Sequence, residues 1–324
     1  MLMPAFNKPV CVQVPATMAN LGPGFDTLGM AVSMHNLFEA HPCAEPGLTL
    51  EWSSASSVSA DGISFSPQEN LLANAYSHYF QLRNQPVPNT KLVIESHIPL
   101  SRGLGSSSTA IVGGLSLART VMGERFSPDA LVHCAVELEG HPDNVVPALL
   151  GNIRCCSDQF HTFELKWPEA WGLILVIPSN KVDTHQTRQA LPNTYLPVDM
   201  VTGIRHMAAW IHGVQTADET LLRQALSGDV IHEVSRGPLI PEFGDLKAWA
   251  ESDDIAHKVL GVFISGSGST CGVVVGPFGN QKKLLADLKQ RFSHCTVEPV
   301  RVEGEGVKLV PVGAGIRPAK ATKP

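Results

Sequence analysis

The chain has 324 residues, of which 44% are apolar and 17% charged, and its formal net charge at pH 7 is −6. These values are ordinary for a folded globular protein and exclude a largely disordered chain. Because no dense run of Lys or Arg occurs, neither nucleic acid nor a membrane is expected as a partner. The seven cysteines show no C-x-x-C pair and no zinc spacing, and the first residues lack a secretory signal pattern. We therefore expect reduced thiols and a cytoplasmic location.

Hydrophobic periodicity predicts strands, helices and turn-rich loops in the first half of the chain. In chain order these are a strand at 10–14, turns at 15–26, an extended segment at 27–39, a strand at 48–52, a loop at 53–67, a helix at 70–82, a strand at 91–96, a loop at 99–105, a helix at 106–122, a helix at 127–139 capped by Ser127, and a turn at 141–143 leading into another helix.

The pattern of strands restarts near residue 165. It predicts a strand at 172–177, several helices between 184 and 252, strands at 260–265 and 271–275, a helix at 279–292 and a strand at 296–302. We therefore place a boundary near 160, giving domains at 1–160 and 161–324, with a disordered tail after about 312. Strands and helices mix without strict alternation, which favours the α+β class.

The segment PLSRGLGSSSTA at 99–110 lies between a predicted strand and a predicted helix. Gly103 and Gly105 permit unusual backbone angles, and three serines open the helix beside its free N–H groups. With the positive end of the helix dipole, these groups predict a phosphate site, although no Gly-Lys-Ser/Thr triplet is present. The alternative is a flexible loop with a serine N-cap.

The segment PATMANLGPGFDTLG at 15–29 contains the tight turn Gly-Pro-Gly. This turn brings Asn20 and Asp26 together, and an amide beside a carboxylate suits recognition of an amine or a hydroxyl. Turn chemistry by Asn and Asp without any ligand is the alternative.

A third polar segment, ELEGHPDNVVPA, covers 137–148. The segment has more polar residues than helix capping needs, namely Glu137, Glu139, His141, Asp143 and Asn144. Carboxylate oxygens are ligands that Mg²⁺ prefers. In the alternative, Asp143 or Asn144 caps the next helix and His141 is structural.

The segment ISGSGSTCGVVV at 264–275 is a glycine-rich turn between two apolar strands. On its own this turn is weak evidence for a nucleotide site, since a Rossmann-like G-x-G would precede a helix and not a strand. A tight hairpin explains it equally well.

These four segments, in this order, resemble the GHMP kinase family in its homoserine-kinase form, and the resemblance covers roughly residues 8–302. The phrase EGHPDNVVPALLGN is typical of the homoserine kinases. The resemblance implies an α+β GHMP kinase fold, with an N-terminal ATP-binding domain that carries a left-handed β-α-β crossover and a ferredoxin-like C-terminal domain.

The implied reaction transfers the γ-phosphoryl group of ATP to the side-chain hydroxyl of L-homoserine, giving O-phospho-L-homoserine for threonine biosynthesis. Two alternatives stay open: a GHMP kinase for another small alcohol such as mevalonate, and a catalytically inactive binding protein with the same fold. The sequence also leaves the oligomeric state open, a homodimer included.

The resemblance carries over to site residues position by position. ATP would contact Asn70, Pro99, Leu100, Ser101, Arg102, Gly103, Leu104, Gly105, Ser106, Ser107, Ser108 and Thr109. Mg²⁺ would be held by Ser107 and Glu139, with Glu137 as the competing choice. The substrate would contact Asn20, Asp26, His141, Asn144, Thr184, Arg188 and Arg236. The resemblance implies that Asp26 and Asn144 would be the catalytic residues. Their role would be to orient the substrate, since no lysine in the first or third segment could form an Asp–Lys pair. The two arginines suit a carboxylate.

Four residues depart from the family pattern. Met18 stands where serine is common, Ser108-Thr109 where small alanines are common, and Ser269 where proline is usual. None of these changes removes a charge or a predicted metal ligand.

Overall fold

A computed structural model describes residues 6–180 and 184–313. Its strands are β1 (Val10–Ala19), β2 (Leu28–Pro42), β3 (Leu48–Trp52), β4 (Thr90–Glu95), β5 (Ile153–Cys156), β6 (Thr162–Leu165), β7 (Gly172–Ile177), β8 (Val259–Ile264), β9 (Cys271–Val275), β10 (Thr296–Val300) and β11 (Lys308–Val310). Its α-helices are α1 (Leu71–Leu82), α2 (Ser106–Val121), α3 (Val132–Glu139), α4 (Pro142–Leu150), α5 (Thr184–Gln189), α6 (Pro197–Thr216), α7 (Glu219–Leu226), α8 (Glu233–Arg236), α9 (Pro241–Ala250) and α10 (Gln281–Arg291).

The first sheet has the strand order β11-β1-β2-β4-β3, with β5 pairing to β2 and β6 to β5. Its pairs are antiparallel except β3–β4, which are parallel and joined through α1. One face of the sheet packs on α1, α2 and α4 around a buried apolar cluster that includes Phe38, Tyr76, Leu115 and Val146. This layer holds the loop before α2, which carries the predicted phosphate site.

Strand β1 continues through the stretch predicted to be turns, as far as Ala19. The prediction of a turn beginning at Pro15 is wrong because the register with β2 shifts between Pro15 and Ala16, and such a bulge tolerates a proline. The shift also changes which residues face the helices. Val12 and Val14 pack in the helix-side cluster, whereas Ala16 and Met18 pack in the cluster beneath the second sheet. Consequently Thr17 lies on the helix side.

The second sheet has the order β10-β7-β9-β8 and is antiparallel throughout. Numbered in chain order its strands read 4-1-3-2, with helices connecting the first to the second and the third to the fourth, so the predicted ferredoxin-like arrangement is confirmed. Strand β7 is a continuous apolar run because both its faces are buried. Leu173 and Leu175 face the first sheet, and Ile174 and Val176 face α9 and α10.

The two sheets share a continuous core. Met18 and Met30 of the first sheet pack in one cluster with Leu173 and Leu175 of the second. Both β6 and β11 pair within the first sheet although they follow residue 160. The predicted boundary near 160 stays a prediction.

Some local predictions need correction. Residues Pro128–Leu131 form a 3₁₀ turn before α3, and the Ser127 side chain makes no capping hydrogen bond to the described residues. Strands β5, β6 and β11 were not predicted. The expected disorder falls mainly on residues 314–324, which lie outside the described residues. Within 6–180 and 184–313, no helix is both long and apolar enough to cross a membrane.

Candidate active site

The loop between β8 and β9 packs against the predicted phosphate loop. Thr270 N donates to Arg102 O at 3.1 Å, and Ser265 Oγ donates to Gly103 O at 2.6 Å. A Cβ atom on Gly103, whose φ is +72°, would lie only 2.1 Å from Ser265 O. Glycine is therefore needed here for the packing of two loops as well as for the turn. The β8–β9 hairpin is a wall of the site and not only a tight connection.

The first polar segment meets the same loop from the side of β1. Thr17 N donates to Leu104 O at 3.2 Å, and Gly266 N donates to Ala19 O at 3.0 Å. A Cβ atom on Gly105 (φ +66°) would lie 1.9 Å from Thr17 Oγ1. Three segments that are far apart in the sequence therefore converge at the beginning of α2.

Helix α2 begins with Gly105 as its N-cap residue, and no side chain of the described residues caps its first turn. The serine-capped loop is therefore the wrong interpretation of this segment. The N–H groups of the first turn and the positive end of the helix dipole are available to an anion.

A cavity of about 420 Å³ opens beside this turn. Its lining includes Asn20, Asp26, Asn70, Leu100, Ser101, Arg102, Gly103, Leu104, Gly105, Ser106, Ser107, Ser108, Glu139, His141, Asn144, Arg188 and Arg236. Within the described chain, Pro99 and Thr109 are not lining residues, and Thr109 is buried with its hydroxyl donating to Ser106 O at 2.8 Å. Thr184 begins α5, but its side chain lies outside the described residues.

A carboxylate and two hydroxyls meet beside the phosphate loop. Glu139 Oε1 accepts from Ser108 Oγ at 2.7 Å and lies 3.5 Å from Ser107 Oγ. Glu139 lines the cavity, whereas Glu137 is exposed. Hard oxygen donors of this kind fit Mg²⁺, which binds through one or two protein ligands and the phosphates of its nucleotide. The geometry therefore favours Glu139 over Glu137 as a metal ligand.

Two arginines and one carboxylate form a second group in the lining of the cavity. Asp26 accepts from Arg188 through both oxygens, at 3.1 and 3.3 Å. Arg236 is buried, and its Nη1 donates to Gly266 O at 2.9 Å. The guanidinium carbons of Arg188 and Arg236 lie 5.9 and 5.2 Å from the centroid of the Phe25 ring. Burial and the nearby charge of Arg188 lower the pKa of Arg236, as expected where two cations are held close together.

The third polar segment forms a connected group and does not cap a helix through its Asp or Asn. His141 is the N-cap residue of α4, so Asp143 and Asn144 lie inside the first turn. His141 Nδ1 lies 2.5 Å from Asp143 Oδ1, and Asn144 Oδ1 accepts from Thr17 Oγ1 at 2.8 Å. Burial lowers the pKa of His141, but the hydrogen bond and charge of Asp143 outweigh this effect and raise that pKa overall. Polar atoms of Asp26, His141 and Asp143 all lie within 4.8 Å of one another.

Two predicted ligand residues already use their amide groups within the protein. Asn20 donates through Nδ2 to Gly266 O at 2.9 Å and accepts from Asp26 N at 3.0 Å. Asn70 caps α1 through its oxygen and donates to Ser64 O. Both line the cavity, so contact with a ligand stays a prediction, but each also holds the backbone around it.

Comparison with known proteins identifies the family of the chain. The model of the GHMP kinase N-terminal domain matches residues 70–152, and that of the GHMP kinase C-terminal domain matches residues 210–294. A homoserine kinase of Synechococcus sp. is 38% identical over 274 residues, which are 83% of this chain and 86% of the relative. Another homoserine kinase, from Thermosynechococcus vestitus, is 38% identical over 291 residues, 89% of this chain and 93% of the relative. The chain belongs to the GHMP kinase family, among the homoserine kinases.

A solved structure of a homoserine kinase from Cytophaga hutchinsonii superimposes with a TM-score of 0.83, at 24% identity, covering 96% of this chain and 100% of that one. This likeness confirms the GHMP kinase fold. As a member of the family, the chain is an ATP-dependent phosphotransferase.

Some residues of this GHMP kinase site were not predicted. Thr17 connects Asn144 to the space beside Gly105, and Phe25 lies against both arginines. The sequence carried one usable signal, since both residues lie inside the polar segment 15–29. Their roles depend on partners more than a hundred residues away.

Proposed function

We propose that this chain transfers the γ-phosphoryl group of ATP to the side-chain hydroxyl of L-homoserine. The observation that carries the proposal is that one cavity holds two groups of different chemistry. One is the uncapped beginning of α2, and the other is formed by Arg188, Arg236 and Asp26. The homoserine kinases among its relatives act on a substrate with the matching charges.

The charged groups fit an amino acid. Two guanidinium groups held near one aromatic ring suit a carboxylate, which they can bind through paired hydrogen bonds. Asp26 supplies a carboxylate for an ammonium group. Arg188 and Asp26 form an ion pair and so neutralise each other. An incoming zwitterion would replace that ion pair with two new ones, so neither charge is left unpaired.

Orientation of the hydroxyl is assigned to Asp26 and Asn144. Asn144 is fixed by its hydrogen bond from Thr17 and lies in the wall between the phosphate loop and His141. No lysine is among the described residues that line the cavity. A dedicated Asp–Lys proton acceptor is therefore not part of the proposal, and positioning with electrostatic stabilisation carries the reaction.

The phosphates of ATP are placed at the loop from Ser101 to Ser108, where backbone N–H groups and hydroxyls converge. Mg²⁺, where it binds, would be held by Ser107 and Glu139 and would neutralise charge on the phosphates. Ser108 holds the Glu139 carboxylate by a hydrogen bond at 2.7 Å. A cytoplasmic location and a homodimeric assembly stay predictions.

The proposal is tested by measuring ADP release from MgATP with a panel of alcohols. The panel contains L-homoserine, 4-hydroxybutanoate (no amine), 3-amino-1-propanol (no carboxylate) and mevalonate. Each missing charged contact should lower kcat/KM by about 10–150-fold, because such a contact contributes about 1.5–3 kcal/mol. Formation of a phosphate monoester is confirmed by phosphorus NMR. Preference for mevalonate would assign another acceptor. If no alcohol of the panel leads to ADP release, the chain would be an inactive binding protein.

A further inference from the structure

His232 is a fully buried residue immediately before α8, the short helix that ends with Arg236. Its Nε2 lies 2.9 Å from Gly22 O, and its Nδ1 lies 3.5 Å from Arg236 Nη1. Its ring stacks on Phe25, with centroids 5.5 Å apart and planes inclined by 27°. His232 therefore touches three parts of the acceptor end without lining the cavity itself.

The partners of His232 determine which ring nitrogen carries the proton. A carbonyl oxygen only accepts, so Nε2 must be protonated to bond Gly22 O. Arg236 only donates, so Nδ1 must offer a lone pair. Asp229, whose Oδ2 lies 3.9 Å from Nε2, already accepts from the backbone N–H groups of His232 and Glu233. Burial lowers the pKa of His232, and this effect is larger than the opposite effect of the Asp229 charge. The lowered pKa agrees with a neutral ring.

The donors of Arg236 divide into two sets. Both hydrogens of Nη1 are directed to protein acceptors, Gly266 O at 2.9 Å and His232 Nδ1 at 3.5 Å. Nε is buried and has no hydrogen-bond partner among the described residues. Nη2 is bonded to no other described residue and is not among the buried unpartnered atoms, and Arg236 lines the cavity. Fixing Nη1 thus leaves Nη2 for a ligand.

We propose that His232 is a positioning residue, which holds Arg236 by accepting from its Nη1 and thereby presents Nη2 to the carboxylate of the acceptor substrate. The inference rests on the proposed function, because it needs a carboxylate at this end of the cavity. A free arginine side chain loses much rotamer freedom when it binds, and Arg188 repels the Arg236 guanidinium. The acceptor His232 Nδ1, bonded to Arg236 Nη1, offsets both effects before the substrate binds.

A purely structural role is the competing explanation. In that case His232 matters because its Nε2–H supports the Gly22 turn, and Arg236 is positioned by Gly266 alone. Two substitutions separate the explanations, since the Asn amide oxygen can take the place of Nδ1 and the Gln amide nitrogen that of Nε2. His232→Asn keeps an acceptor for Arg236 and gives up the bond to Gly22. His232→Gln keeps the bond to Gly22 and gives up the acceptor.

The experiment measures KM for L-homoserine and for ATP, kcat and melting temperature in wild type and both variants. We expect His232→Gln to raise the homoserine KM by about tenfold or more, in line with a lost contact to a charged group. The ATP KM should stay within about twofold, and His232→Asn should recover most of the loss. The inference is overturned if His232→Gln leaves the homoserine KM unchanged, if Asn is worse than Gln, or if both substrates are affected equally.

A double-mutant cycle supplies the second readout. In an Arg236→Ala background, His232→Gln should have almost no further effect on the homoserine KM, because the group that it positions is gone. Additive effects would contradict the proposal. Wild type is assayed alongside with L-homoserine and with 3-amino-1-propanol. If wild type does not phosphorylate homoserine, the proposed function fails and this inference fails with it, whereas an active wild type with an unaffected Gln variant overturns the inference alone.

Discussion

At the scale of single residues, the acceptor end of the cavity is defined by charges that are held in place before any ligand binds. Arg188 is paired with Asp26, and Arg236 is anchored to Gly266 O. Phe25 lies against both guanidinium groups, and cation–π contacts of this kind contribute about 0.5–2 kcal/mol each. Two cations held this close form a site with a strong preference for an anion.

The first prediction concerns these arginines. Replacing either Arg188 or Arg236 by Ala should raise KM for L-homoserine by about 10–150-fold, since a charge-assisted contact contributes about 1.5–3 kcal/mol. KM for ATP should change little, because neither arginine belongs to the phosphate loop. Steady-state kinetics with each substrate varied in turn checks this. The control is Arg205→Ala, at an exposed arginine of α6. Unchanged homoserine KM in both site variants would contradict the carboxylate clamp.

The second prediction concerns the two glutamates of α3. Glu139→Gln keeps an oxygen for the Ser108 hydrogen bond but removes the charge, so the fold should survive. Apparent Mg²⁺ affinity of the nucleotide complex should fall by about tenfold or more, with a lower kcat. Glu137→Gln, at an exposed position one half-turn away, is the matched control and should behave as wild type. Titration of Mg²⁺ against a bound ATP analogue gives the affinity. A damaging Glu137→Gln beside a silent Glu139→Gln would reverse the assignment.

At the scale of elements, the site is a junction of three loops that lie against one another. The β8–β9 loop bonds to the phosphate loop, which in turn bonds to β1. The polar segment at the start of α4 is tied in through the hydrogen bond from Thr17 to Asn144. Because backbone groups link the β8–β9 loop, the phosphate loop and β1, a side chain added at the junction disturbs more than one segment.

The third prediction tests this junction at Gly105. Gly105→Val should abolish ATP binding, because its Cβ would lie 1.9 Å from Thr17 Oγ1 and the φ of +66° would be strained. Ser107→Ala should leave the fold intact and lower turnover, since one contact to phosphate or metal is lost. Titration with a non-hydrolysable ATP analogue and melting temperatures check both variants.

The control for Gly105→Val is Gly47→Val. Gly47 also has a positive φ, of +86°, but no atom lies within 4 Å of the place where its Cβ would be. It should therefore lose stability from backbone strain and keep its nucleotide affinity. Wild-type affinity in Gly105→Val would count against the phosphate site and hence against the kinase mechanism described above.

At the scale of the whole molecule, the sequence predicts the elements that are buried on both faces, because their own residues are almost all apolar. Strands β7 and β9 are continuous apolar runs, and their predicted bounds match the structure. Strands β6 and β11 are short and mostly unburied, and they exist because a partner strand pairs with them. Such pairing is set by tertiary contacts that no local pattern records.

The same distinction holds for the site. Asp26, Glu139 and the serines of the phosphate loop were predicted because polar residues concentrate in short segments bounded by glycine. His232 has no such signal, since its partner Gly22 is 210 positions away. Thr17 lies on the helix side of β1 because the register shifts at Pro15. From the sequence alone, Pro15 suggests a turn. Residues that position others are therefore the part of the site that only the assembled fold reveals.

The last prediction concerns the stability of the whole molecule and a fully buried carboxyl group, Glu233. Burial raises the pKa of Glu233 to about 8, although the hydrogen bond from Ile264 N opposes this effect. A raised folded-state pKa means that the folded chain holds a proton that the unfolded chain releases near its ordinary pKa of 4.5. The contribution of Glu233 to stability is therefore fully present below about pH 4.5 and is lost as the pH rises towards about 8.

Glu233→Gln keeps an oxygen for Ile264 N and cannot ionise, so it should resemble wild type at pH 5 and be more stable at pH 9. Each pKa unit corresponds to about 1.4 kcal/mol, so the difference in unfolding free energy should grow by several kcal/mol over that range. Urea unfolding at a series of pH values from 5 to 9 measures it. Glu298→Gln, at an exposed glutamate of β10, serves as the control and should leave the pH profile unchanged. Parallel profiles for wild type and Glu233→Gln would mean that Glu233 binds its proton equally well in both states, and burial would then not govern the pH dependence of this fold.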